Sequence, residues 1–211
     1  MTIVIERTVC VFMAAVLALW LAGGGVAAGE RGFDFVMTPG KLPKTVVPLH
    51  YAIELRPDRE MLRLPGIETV AIEVREATDR LILNAAAMTI EEARLEGEAG
   101  QVATVGLDAQ AETVTLTFPQ ALIVGQHRLR LAFTGTINRF GRGLYYVDYP
   151  GEGGAKTRML ASHLEPADAR RVFPAWDEPA FKARFALSVV VPDAYDAVSN
   201  MPALEETPGR A

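Results

Sequence analysis

Cysteine is nearly absent from these 211 residues: Cys10 is the only one. One thiol cannot close an internal disulfide, so no disulfide framework holds the fold. Histidine is scarce as well. His50, His127 and His163 lie far apart, and no His-Glu-X-X-His occurs. That spacing offers no zinc-ligand set within the chain, and no metal residues are assigned. Lysine and arginine form no cluster and the formal net charge is −5, which argues against a nucleic-acid partner. A phosphate-cradling loop is missing too: Gly151-Glu152-Gly153-Gly154 lacks the Lys-Ser/Thr and helix that must follow. Long apolar runs are lacking. The run over residues 9–21 falls short of the roughly 20 residues that span a bilayer.

What is present is globular material, 50% hydrophobic and 22% charged. Residues 1–28 have the layout of a secretory signal peptide. Arg7 is the cation, the apolar run follows, Gly23-Gly24-Gly25 breaks it, and Val26-Ala27-Ala28 offers small residues for cleavage. The expectation is export to a periplasmic or extracellular location; the alternative is a membrane anchor formed by an uncleaved signal. Cleavage after Ala28 would remove Cys10. Residues 29–41 read as a linker and 42–211 as one β domain, incomplete at its C-terminus.

From residue 42 the texture is alternation with a period of two. Over 51–56, Tyr51, Ile53 and Leu55 share one face. Over 67–76, Glu68, Val70, Ile72 and Val74 form the set assigned to the buried face. Strands are predicted at 80–84, 101–107, 113–118, 127–134, 144–149, 158–164 and 184–191, with another starting at 197–200. Residues 88–96 fit a helix or a strand. Short strands at this spacing, broken by turn residues, predict an all-β fold, an antiparallel β-sandwich or saddle.

Residues 162–183 read Ser-His-Leu-Glu-Pro-Ala-Asp-Ala-Arg-Arg-Val-Phe-Pro-Ala-Trp-Asp-Glu-Pro-Ala-Phe-Lys-Ala. Pro166, Pro174 and Pro179 exclude a paired strand and a long helix. Two short helical turns joined by a bend remain, the second capped by Asp177 with Pro179 in its first turn. Arg170 and Arg171 with Asp168, Asp177 and Glu178 read as an ion-pair set holding an irregular segment. Ser162 beside His163 is not a nucleophile and base, because neighbours on a strand face opposite ways. Phe140, Leu144, Tyr145, Tyr146 and Tyr149 read as core and cross-strand pairs before a sugar platform. No catalytic residue is assigned. Glu165 stands apart: it follows a strand directly and precedes a proline, so its carboxylate projects from a fixed backbone, which suits gripping a cation.

The run from Glu165 to Ala183 resembles the N-terminal domain signature of the aminopeptidase N family of zinc metallopeptidases. Leu42-Pro43 through His50-Tyr51, and Phe133-Thr-Gly135 through Gly143-Leu-Tyr145, resemble the family's flanking pieces in order and spacing. The resemblance implies a β-saddle packed on a thermolysin-like catalytic domain downstream. It implies that Glu165 binds the free α-amine of a peptide substrate and that His163 lines the first specificity pocket. It places zinc and the general base in the full-length enzyme, so the chain alone would not catalyse hydrolysis. Ser162 and His163 stand where the family has Thr and Gln, and Ala175 where it has Cys. The alternative function is a non-catalytic β-sandwich binding module.

Overall fold

The computed structural model describes residues 32–97 and 100–207. The predicted leader over 1–28, with Cys10, and the first residues of the predicted linker lie outside the described residues. The strands all belong to the compact unit Phe35–Ala211.

Among the described residues there are ten strands: β1 (Val46–Leu55), β2 (Arg63–Val74), β3 (Thr78–Asn84), β4 (Met88–Glu96), β5 (Thr104–Asp108), β6 (Thr113–Leu122), β7 (Gly125–Thr136), β8 (Gly143–Pro150), β9 (Lys156–His163) and β10 (Arg184–Val189). They form a five-stranded sheet in the order β10-β1-β2-β7-β4, a three-stranded sheet β3-β6-β5 and the hairpin β8-β9. Residues 88–96 are a strand. A register shift between Ile90 and Glu92 lets Ala93 and Leu95 turn inward, which blurs the period of two. β1 begins five residues before the predicted strand and runs through Pro48, where the register against β2 shifts. The predicted strand at 101–107 settles to 104–108. None forms at 197–200.

One strand pair departs from the antiparallel expectation. β10 lies parallel to β1, with Arg184 opposite His50 and Val189 opposite Leu55. A parallel neighbour needs a long connection rather than a tight turn. Here β2 to β9 all lie between the two partners, and residues 164–183 make the last step, from the end of β9 to the head of β10. This crossover is the signature segment.

The two larger sheets share one core. Val70, Ile72, Leu129, Leu131 and Phe133 come from the five-stranded sheet, and Leu81, Leu83, Val114, Leu116 and Phe118 from the three-stranded one. Val172, Phe173, Trp176 and Phe181 of the crossover are buried in the same cluster. Gly66 on β2 is required by packing: a Cβ there would lie 2.4 Å from the Phe133 ring. Phe35 packs edge-on against Phe181, centroids 5.3 Å apart, so the chain ahead of β1 is laid against the crossover.

Candidate functional site

The site grows out of the β8–β9 hairpin. Its register sets Gly143 opposite His163 and Leu144 opposite Ser162, so Ser162 and His163 face opposite sides of the strand. Both are exposed. After Leu164 the chain bends through a cis Glu165–Pro166 peptide. The Asp168 N–H then donates to the Leu164 carbonyl at 2.9 Å, closing a short loop. Glu165 sits on this loop, exposed, and its carboxylate takes no hydrogen bond or ion pair from a described residue.

The base of the loop is bound tightly. Asp168 is 3% exposed. Arg142 donates to its Oδ2 at 3.0 Å and lies 3.0 Å from its Oδ1. Arg171 donates to Oδ1 at 2.9 Å. The hydrogen bond from Arg142, aided by Arg171, holds the Asp168 carboxyl below the usual carboxylate range against the opposing effect of burial. A short 3-10 turn over Ala169–Arg171 follows. Its Arg170 donates to Asp177 Oδ2 at 2.9 Å and to the Asp177 carbonyl at 3.0 Å. Glu112, in the β5–β6 turn, accepts from Arg171 and lies 3.6 Å from Arg170.

Two expectations for the crossover are corrected. Asp177 caps no helical turn. Its carboxylate is drawn to Arg170, and only a single turn closes beyond it, with Phe181 N–H donating to the Glu178 carbonyl at 3.0 Å. Glu178 is not part of the arginine set. Its Oε1 accepts the backbone N–H groups of Lys41 and Leu42 at 2.7 and 3.1 Å, tying the head of the domain to the crossover.

The crossover is stitched to the sheets by its backbone as well. Asn84 and Ala175 exchange N–H···O bonds of 2.7 and 3.0 Å, and the Asp177 N–H donates to Asn84 Oδ1 at 3.2 Å. The Tyr51 hydroxyl oxygen accepts the Trp176 N–H at 3.2 Å, and burial pushes this phenol far above its ordinary pKa. Tyr51 stacks on Phe185 of β10 at 4.8 Å. These rings, with Phe173, Trp176 and Pro166, line a half-open cavity of about 220 Å³ beside the loop.

Sequence reasoning missed Glu112, Arg142 and Asn84. Glu112 carries no motif; its backbone sits at φ 53° in a tight turn. Arg142 did carry a signal, the glycines on either side. Gly141 and Gly143 have φ of 72° and 62°, and a Cβ on Gly143 would lie 2.8 Å from the Arg171 Cβ. The aromatics read as core and cross-strand pairs are divided. Phe140 is exposed, while Tyr146 packs on the core and receives the Arg158 guanidinium 4.2 Å from its ring centroid. His50 is on β1, His127 on β7 and His163 at the end of β9, and no group of three or more His, Cys, Asp or Glu among the described residues is placed to hold a metal ion.

Residues 47–210 match the Peptidase M1 N-terminal domain family. The chain is 44% identical over 195 residues to Aminopeptidase N of Acetobacter pasteurianus, covering 91% of this chain and 54% of that protein. It is 39% identical over 167 residues to Aminopeptidase M1-B of Oryza sativa subsp. japonica, covering 79% of this chain and 19% of that one. Puromycin-sensitive aminopeptidase of Caenorhabditis elegans is 29% identical over 191 residues, with 20% of its length covered. The chain thus spans about half of the first relative and about a fifth of the other two. The matched range takes in nearly all of β1 and everything through β10, crossover included, and the chain accordingly belongs to the peptidase M1 N-terminal domain family.

Proposed function

We propose that this domain forms one wall of the substrate site of an exported zinc aminopeptidase, and that Glu165 receives the α-ammonium group of the peptide. The supporting observation is a contrast among carboxylates. Of the four acids between residues 162 and 183, Asp168, Asp177 and Glu178 are each engaged by arginines or backbone N–H groups. Glu165 alone has no partner among the described residues and faces solvent. A free carboxylate on a braced loop is suited to a charge-assisted bond with an ammonium group. Such a bond selects for a free N-terminus and orients the residue behind it. His163, two residues earlier at the strand end, lines the pocket for the first side chain in this reading. The relatives are named aminopeptidases and extend well beyond the matched part, which supports a catalytic domain downstream. The described residues offer no zinc-ligand set. Zinc and the general base are therefore assigned outside them, and this domain's share of the work is binding and orientation.

Glu165→Ala in the full-length protein tests the anchor. Truncating one partner of a desolvated charge pair costs ~2–5 kcal/mol, a fall in kcat/KM of roughly 30-fold to several thousand-fold on aminoacyl substrates. Unchanged kinetics would refute the role. An inactive full-length protein that still binds peptides would favour the binding-module alternative.

A further inference from the structure

Glu165 has no side-chain contact that fixes its own direction, so its aim depends on the loop beneath it. Both ends of that loop are referenced to the same two residues. Gly143 pairs with His163 across the hairpin, and its neighbour Arg142 grips Asp168 through both carboxylate oxygens. Residues 142 and 143 are adjacent, so the entry to and exit from the loop are both tied to one short segment. Asp168 does three jobs at the exit. Its N–H closes the loop on Leu164, its carbonyl accepts the Arg171 N–H at 3.1 Å to start the 3-10 turn, and its carboxylate joins Arg142 to Arg171. The Arg142 side chain is 58% exposed and would hydrate if released, while Arg171 keeps Glu112. Losing the Asp168 charge therefore frees the loop more than it threatens the fold.

From this we infer that Asp168, acting with Arg142, is a positioning residue that sets the direction of the Glu165 carboxylate toward the substrate amine. The inference rests on the anchor reading above.

The experiment is a double-mutant cycle in the full-length protein with Asp168→Asn, Glu165→Gln and the pair. Each is measured by kcat/KM on an aminoacyl substrate. Each is also measured by Ki for two inhibitors that differ only in the presence of the α-amine. Asp168→Asn alone is expected to lower kcat/KM by about 10- to 100-fold, the scale of misplacing an orienting group by around an ångström. It should weaken the amine-bearing inhibitor and leave the amine-free one unchanged. On top of Glu165→Gln it should do nothing further, because there is no anchor left to aim. Losses that multiply, or equal weakening of both inhibitors, would mean general loosening and would overturn the positioning role. So would an Asp168→Asn enzyme with wild-type kinetics. If Glu165→Gln is itself without effect, the anchor reading falls and this inference falls with it. Should Asp168→Asn not fold, Arg142→Met removes the other half of the clamp from an exposed position and carries the same expectation.

Discussion

At the scale of single residues, Glu68 is the odd member of the core. The alternation assigns it to the buried face with Val70, Ile72 and Val74, and it is there, fully buried between Ile53 of β1 and Leu131 of β7. Neither carboxylate oxygen has a hydrogen-bond partner. Burial raises its pKa well above the ordinary 4.5, and the Tyr51 phenol is the neighbouring ionisable group. Below pH 4.5 both folded and unfolded chains hold the proton, and Glu68 costs only the burial of a neutral carboxyl without partners. Above it the unfolded chain releases the proton while the folded chain keeps it, so stability falls as pH rises toward the folded pKa. Glu68→Leu is expected to stabilise by about 1–3 kcal/mol at pH 7, with the gain shrinking toward pH 4. Urea midpoints at the two pH values check this, and a gain independent of pH would show that the carboxyl is not the cause. The same scale shows where sequence reading stops. Glu165 stood out because a strand end and a proline bracket it. Glu112 could not, since its partners Arg170 and Arg171 lie some sixty residues away and only the folded turn brings them together.

At the scale of elements, period-two alternation made β2 legible down to its inward face and β7 legible in extent, because one side of each meets an apolar core. β4 was ambiguous for a local reason, the register shift that interrupts its alternation. The parallel placing of β10 was not legible at all. Strand direction is set by the connection, and nothing in Arg184–Val189 itself encodes it. The crossover was half legible: its prolines excluded strand and long helix, but Asp177 looked like a cap when Arg170 had the stronger claim. That pair, each side chain 13% exposed, anchors the middle of the crossover. Arg170→Ala leaves a mostly buried carboxylate without its main partner and is expected to cost about 3 kcal/mol, the lower end for breaking a buried pair. A denaturation midpoint within experimental error of the unsubstituted protein would show the pair to be dispensable.

At the scale of the whole molecule, the all-β architecture and the family were both readable from the chain. The shared core explains why, since two sheets and a crossover must each commit apolar residues to it. Export is a separate expectation, resting on the sequence of residues 1–28 alone. Intact-mass measurement on the protein purified from its native compartment is expected to find Gly29 as the first residue. A chain that still begins at residue 1 and sediments with membranes would instead identify an uncleaved anchor.

The two-residue clamp at 142–143 has one more implication, and it concerns length. Between His163 and Asp168 the chain must cover a fixed gap, with both banks set by the same short segment. Ala167 is only half-buried, so its side chain can be exchanged with little consequence. A single inserted or deleted residue is another matter, because it lengthens or shortens the arc on which Glu165 rides while the banks stay still. Across this arc the number of residues matters as much as the identity of Glu165 and Pro166.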